Sequence, residues 1–122
     1  MENLNIPPSA NTPEISFDAD AGKLLIKGRS IPEDVVKFYQ PLIAWAGMLE
    51  ADSLVVEIQL DFISSSSAMK LLYLLKVLDA NNHIKEVHVN WHYEEDDKES
   101  LEQGQIYEEL LIRTKFRYFE DN

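Results

Sequence analysis

Residues 54–80 read LVVEIQLDFISSSSAMKLLYLLKVLDA. The first part, Leu54 to Leu60, is rich in β-branched and apolar side chains, which is typical of a buried strand. The second part, Ser65 to Ala80, has leucines at helical spacing and follows serine, a preferred helix cap. A strand followed by a helix long enough to cross back over a sheet predicts a parallel strand next in the chain.

Further strands are predicted on both sides of this unit. Ile15 to Asp18 and Lys23 to Lys27 are short apolar-rich runs, and Gly22 between them can take a positive φ, so they form a hairpin. The segment from Val87 to Tyr93 has an apolar or aromatic residue at every second position. The segment from Phe116 to Phe119, near the end of the chain, is rich in aromatic residues. Each of these segments has the composition of a strand.

Two more helices complete the predicted order. Ser30 and Glu33 fit a capping box, so the first helix should start at Ser30. Pro41 should then kink this helix, unless the helix starts later. Lys98 to Thr114 reads as a third helix. The predicted class is α/β, with one mixed sheet of about five strands and three helices. We expect a flexible tail at residues 1–12 and one domain at 13–122.

Composition narrows the classes of function. The 122 residues include 22 acidic and 11 basic ones, a formal charge of −11, which repels nucleic acid. The chain has no cysteine, so disulfides and thiolate chemistry are excluded. It shows neither a signal peptide nor an apolar run of about 20 residues that could span a membrane, and we expect it in the cytoplasm.

The serine run Ser64 to Ser67 lies where a strand ends and a helix begins, which is a usual place for ligand sites in α/β sheets. One interpretation is an ordinary helix cap, for which a single serine suffices. The other is phosphorylation, because the free N–H groups and the dipole of a helix N-terminus favour a phosphate. Both interpretations remain open from pattern alone.

The helix after the serine run is apolar on two sides. The stripe expected to face the sheet comprises Ala68, Leu71, Leu72 and Leu75. The opposite stripe comprises Met69, Tyr73 and Val77. A helix with two apolar faces in so small a domain indicates a partner surface, unless the tail or the last helix covers the outer stripe.

Other clusters are weaker candidates. The acidic run Glu94 to Asp97 could bind Mg²⁺ or Ca²⁺, but a solvated turn with Asp97 as a helix cap explains it better. His83, His88 and His92 are too scattered for a local zinc site. A triad of Ser65, His92 and an acid is conceivable, yet no glycine-flanked nucleophile elbow surrounds the serine. We therefore predict no catalytic residue, no metal and no cofactor.

Several segments together resemble the SiaC-like regulatory phosphoproteins. These segments are Thr12 to Asp18, Gly28 to Glu33, Phe38 to Leu42, the serine run before a leucine-rich helix, and Asn90 to Asp97. The resemblance covers nearly the whole chain from Thr12. It implies a fold similar to the STAS domain of anti-sigma factor antagonists and a partner-switching role in bacterial signalling, typically towards biofilm formation.

The resemblance also implies the chemistry of the switch. A serine/threonine kinase phosphorylates one hydroxyl, a metal-dependent phosphatase removes the phosphate, and the unphosphorylated form activates a diguanylate cyclase. The acceptor would be Ser65, with Ser64 as second choice. Residues expected to contact the partner are Ser66, Met69, Lys70, Tyr73 and Val77. The alternatives are an antagonist-type switch with another output and, less favoured, a serine- or metal-dependent hydrolase.

Overall fold

The structure is a computed structural model that describes residues 3–121. Its strands are β1 (Leu4–Ile6), β2 (Glu14–Asp18), β3 (Lys23–Ser30), β4 (Ala51–Ile63), β5 (Ile84–Glu94) and β6 (Lys115–Asp121). Its helices are α1 (Val35–Met48), α2 (Ser65–Ala80) and α3 (Lys98–Leu110). The predicted order of strands and helices from Glu14 onward is confirmed.

All six strands described between residues 3 and 121 form one sheet in chain order. The first three strands pair antiparallel, and β3 to β6 pair parallel, so the predicted mixed α/β sheet with three helices is confirmed. The strand count is six and not about five. The additional strand is β1, which pairs with β2 where the sequence predicts a flexible tail. Residues 1, 2 and 122 lie outside the described residues.

One face of this sheet carries the core. Leu24, Val56 and Val89 are neighbours across three strands, and all are buried. Because parallel crossovers are right-handed and the strand order follows the chain, each helix returns to this same face. The opposite face has no helix among the described residues, and its side chains, such as Glu57 and Asn90, are only partly buried. We call it the open face.

The first helix begins later than predicted. Ser30 is the last residue of β3 and is fully buried, and its hydroxyl lies 2.6 Å from the Tyr39 hydroxyl. The helix starts at Val35, after Asp34, whose carboxylate accepts the Lys37 N–H at 3.0 Å. The capping box at Ser30 was therefore wrong, because strand pairing and the contact with Tyr39 already use that residue.

The third helix ends at Leu110 and not at the predicted Thr114. The short segment between α3 and β6 binds the Asp79 carboxylate through the N–H groups of Ile112, Arg113 and Thr114. Burial alone would raise the pKa of Asp79, but these hydrogen bonds more than offset it and lower the pKa. The Arg113 guanidinium donates to main-chain carbonyls at the end of α2 and the start of β5, namely Leu78, Asp79, Asn81, Ile84 and Lys85.

A β-bulge interrupts the pairing of β3 with β4. Gly28 pairs with Leu60 and Arg29 with Phe62, so Asp61 is an extra residue in β4. Gly28 has a φ of +117°, a conformation that other residues rarely adopt. The bulge turns Phe62 to the open face, where the Arg29 guanidinium carbon lies 5.5 Å from its ring centroid. It thus changes the side-chain alternation just before the serine run.

Two helical glycines provide a matched test of the packing of α3. A Cβ added at Gly104 would lie 2.9 Å from the Trp91 ring, whereas one added at Gly47 would lie 3.8 Å from Val77. We expect Gly104→Ala to lower the free energy of unfolding by about 1–3 kcal/mol through overpacking. Gly47→Ala should raise it by up to about 1 kcal/mol because alanine favours helix. Urea denaturation measures both, and an unchanged or more stable Gly104→Ala variant would contradict this packing.

Candidate regulatory site and docking surface

The start of α2 is attached to the end of β3. The main-chain N–H of Ser64 donates to the Ser30 carbonyl at 3.0 Å. The Ser64 hydroxyl accepts the Ser67 N–H at 3.2 Å, which is the geometry of an N-cap. The capping interpretation of the serine run is therefore correct for Ser64, and the helix begins at Ser65 as predicted.

A buried cluster of hydroxyl groups lies beneath this helix start. The side chains of Ser30, Tyr39 and Ser67 are fully buried, and they come from β3, α1 and α2. Burial raises the pKa of Tyr39, and the hydroxyls of Ser30 and Ser67 oppose part of that effect. Tyr39 therefore stays neutral at physiological pH, and its hydroxyl shares a hydrogen bond with that of Ser30.

The four serines of the run have different surroundings. Ser67 is fully buried, Ser64 is half-buried and caps the helix, and Ser65 and Ser66 are exposed. The Ser64 and Ser66 hydroxyl oxygens lie 3.4 Å apart. An enzyme that modifies this run would reach Ser65 and Ser66 without disturbing a cap or the core. The sequence could not distinguish the four, because serine is identical at each position.

Large apolar side chains are exposed next to the serine run, on both α2 and α3. Met69 is 75% exposed and Tyr73 55%, while Ile106 and Leu110 of α3 are 55% and 49% exposed. A groove of about 310 Å³ lies between the two helices, with Met69, Leu72 and Ile106 in its lining. We call Met69, Leu72, Tyr73, Ile106 and Leu110 the α2–α3 surface. Exposed apolar patches of this kind mark interaction sites.

Sequence reasoning found only the α2 half of this surface. The contribution of α3 was missed, although Ile106 and Leu110 are four residues apart and share a helix face. The signal that could have shown it is Gly104 with Tyr107, which form the buried side of α3 against Trp91. With that side buried, the other two residues must face outward.

The remaining predicted contact residues are less exposed. Val77 is half-buried beside Gly47 of α1, so it packs within the helical layer and does not share the exposure of Met69 and Tyr73. Lys70 is also half-buried. The stripe of α2 that faces the sheet differs from the predicted one, since Ala68 and Leu72 line the groove. Its buried leucines are Leu71, Leu74, Leu75 and Leu78.

The alternative catalytic clusters are not assembled at the serine run. The His92 Nε2 lies 2.8 Å from the Glu57 carboxylate on the open face, and its ring stacks on Phe119. Asp97 caps α3 by accepting the Ser100 N–H at 3.1 Å, which confirms its predicted role. Among residues 3–121, no three His, Cys, Asp or Glu side chains are grouped so that they could hold a metal ion.

Comparisons with known proteins place the chain in a family. The family model described as "SiaC family regulatory phosphoprotein" matches residues 6–121. An uncharacterized protein of Pseudomonas aeruginosa strain UCBPP-PA14 is 28% identical over 113 residues, which are 89% of this chain and 90% of that protein. This chain therefore belongs to the SiaC family of regulatory phosphoproteins.

Solved structures agree with this assignment. SiaC of Pseudomonas aeruginosa superposes with a TM-score of 0.81 at 24% identity, over 99% of this chain and 100% of that one, which shows the shared fold. A chain in the crystal structure of the diguanylate cyclase SiaD in complex with its activator SiaC, from the same organism, has a TM-score of 0.78. It is 25% identical, over 97% of this chain and 99% of that one. No helix within residues 3–121 is long and apolar enough to cross a membrane.

The different surroundings of Ser64 and Ser65 give a stability test. Ser64→Ala removes the cap of α2, and we expect it to lower the free energy of unfolding by about 1 kcal/mol. Ser65→Ala removes an exposed hydroxyl at the first helical residue and should change it by less than about 0.5 kcal/mol. Chemical denaturation of both variants measures the difference. Equal stabilities would show that the Ser64 hydroxyl does not act as the cap.

Proposed function

We propose that this chain is a non-catalytic signalling switch that is reversibly phosphorylated on Ser65. Its unphosphorylated form binds and activates a diguanylate cyclase through the α2–α3 surface. A serine/threonine kinase adds the phosphate and a metal-dependent protein phosphatase removes it. The observation that carries the proposal is the exposed Ser65 hydroxyl at the helix N-terminus, beside an uncovered apolar surface.

The choice of Ser65 rests on what each hydroxyl already does. A phosphate on Ser67 would have to fit into the core, and one on Ser64 would remove the cap of α2. A phosphate on Ser65 meets the free N–H groups of the first turn, which favour an anion. Ser66 is also exposed, but the family resemblance aligns the acceptor with Ser65, and we place Ser66 with Lys70 among the partner contacts. Ser64 remains the second choice.

The switch acts through local electrostatics. Ser65 and Met69 are four residues apart and therefore share one face of α2. A phosphate with about two negative charges would have to lose water when the partner covers Met69, and this cost opposes docking. Glu99 and Glu102 also line the groove, and their carboxylates carry the same sign of charge as the phosphate. They favour basic groups on the partner.

The identity of the effector is supported by the relatives. The SiaC of the crystal complex is the activator of a diguanylate cyclase, and a chain of that structure resembles this one over nearly its full length. The family is described as regulatory phosphoproteins, and this description supports reversible phosphorylation. The kinase, the phosphatase and the modified residue are our proposal. A kinase and a cyclase both consume nucleoside triphosphates, so the switch is expected to work in the cytoplasm.

Charge at Ser65 can be tested directly. We expect Ser65→Asp to weaken binding to the cognate diguanylate cyclase by at least about tenfold, since it brings a charge into an apolar contact. Ser65→Ala should bind like the unmodified chain, and Ser9→Asp, an exposed serine between β1 and β2, controls for added charge. Isothermal titration calorimetry gives the affinities, and peptide mapping of protein from its native cells locates the phosphate. Equal affinity of the Asp and Ala variants would rule out Ser65 as the switch.

Two exposed methionines, one on the α2–α3 surface and one outside it, provide matched variants. Met69 and Met48 are exposed by 75% and 68%, but only Met69 belongs to the α2–α3 surface. We expect Met69→Glu and Ile106→Glu each to weaken cyclase binding by about tenfold or more, through loss of buried apolar area and the cost of removing water from the added carboxylate. Met48→Glu should leave the affinity unchanged. If Met48→Glu weakens binding as much as Met69→Glu, the contact face lies elsewhere.

A further inference from the structure

We propose that a second copy of this chain pairs with the free edge of β6, as an antiparallel strand related by a two-fold axis at Tyr118. The pairing would join two sheets into one continuous sheet. It uses an edge that the proposed function leaves unused, and it does not depend on phosphorylation of Ser65.

The edge of β6 is uncovered and long enough to pair. Within residues 3–121, β6 has a strand neighbour on one side only, which is β5. The other edge strand of the sheet, β1, has three residues, whereas β6 has seven. A free strand edge presents unpaired N–H and C=O groups that can accept another strand.

The direction of the free groups in β6 follows from its pairing with β5. The Asp121 carbonyl accepts the Glu95 N–H at 3.0 Å, so the main-chain groups of Asp121 point to β5. Because direction alternates along a strand, the main-chain groups of Phe116, Tyr118 and Glu120 point outward. An antiparallel second copy centred on Tyr118 pairs all three outward residues. Tyr118 lies opposite Tyr118 of the second copy, and Phe116 lies opposite its Glu120. A shift by two positions in either direction pairs fewer of them.

The side chains of β6 are complementary in this same register. On the open face, Lys115 would lie opposite Asp121 of the second copy, and Arg117 opposite its Phe119. Each contact occurs twice because of the two-fold axis, giving two opposite-charge pairs and two cation–π pairs. The register with Arg117 opposite itself would place like charges in contact, which is destabilising. Charged side chains on an edge strand hinder pairing with unrelated strands. In this register the charges of β6 are instead complementary to those of a second copy.

Charge exchange tests the register in solution. We expect the unmodified chain to move from monomer towards dimer in sedimentation equilibrium as its concentration rises. Lys115→Glu and Asp121→Lys alone should each abolish the dimer, and the double variant should restore it, because the pair is then reversed. Lys37→Glu on α1 is exposed and serves as a charge control that keeps the dimer. A monomer at all concentrations, or a dimer that both single variants leave intact, would overturn the proposal.

Cross-linking provides a second measurement, because the chain has no cysteine. Hydrogen-bonded antiparallel pairs have Cα atoms roughly 5.5 Å apart, within the roughly 4.4–6.8 Å range of disulfides. Tyr118→Cys, on the axis, should give a covalent dimer on oxidation. Phe116→Cys should not, since its partner position is Glu120, but Phe116→Cys combined with Glu120→Cys should. Equal cross-linking of the two single variants would contradict the register.

Discussion

The coverage of one sheet face by all three helices is the constraint on which the rest of the structure depends. Parallel strands are usually buried on both sides and read as continuous apolar runs. Here the strands follow one another in chain order, so each crossover returns to the same side. The strands consequently alternate apolar and polar residues, and side chains such as Glu57 and His92 can make polar contacts on the open face.

This arrangement explains which parts of the fold could be predicted. The alternation in β5 and the leucine spacing of α2 are direct consequences of a one-sided core, and both were found from sequence. The prediction of a flexible tail does not hold for Leu4 to Ile6, because three residues are too few to show a period and only pairing with β2 makes them a strand. Ser30 is followed by Glu33 as in a capping box, but its contact with Tyr39 keeps it at the end of β3.

The candidate site shows the same limit of sequence reasoning. Four adjacent serines are equivalent in sequence, and they become different only when β3 and α1 bury Ser67 and leave Ser65 exposed. Similarly, the outward direction of Met69 and Tyr73 could be inferred from helical spacing. The contribution of Ile106 depends on which side of α3 packs on Trp91, and Gly104 with Tyr107 is the sequence signal for that side.

The guanidinium group of Arg113 has a consequence for how a signal could pass through this domain. It binds the carbonyls that end α2, while the Ser64 N–H joins the other end of that helix to β3. A helix held at both termini has little freedom to shift or unwind when a single group is added at its first turn. A modification there would change what the surface attracts and leave the backbone in place, so a partner would recognise the two states by charge and not by shape.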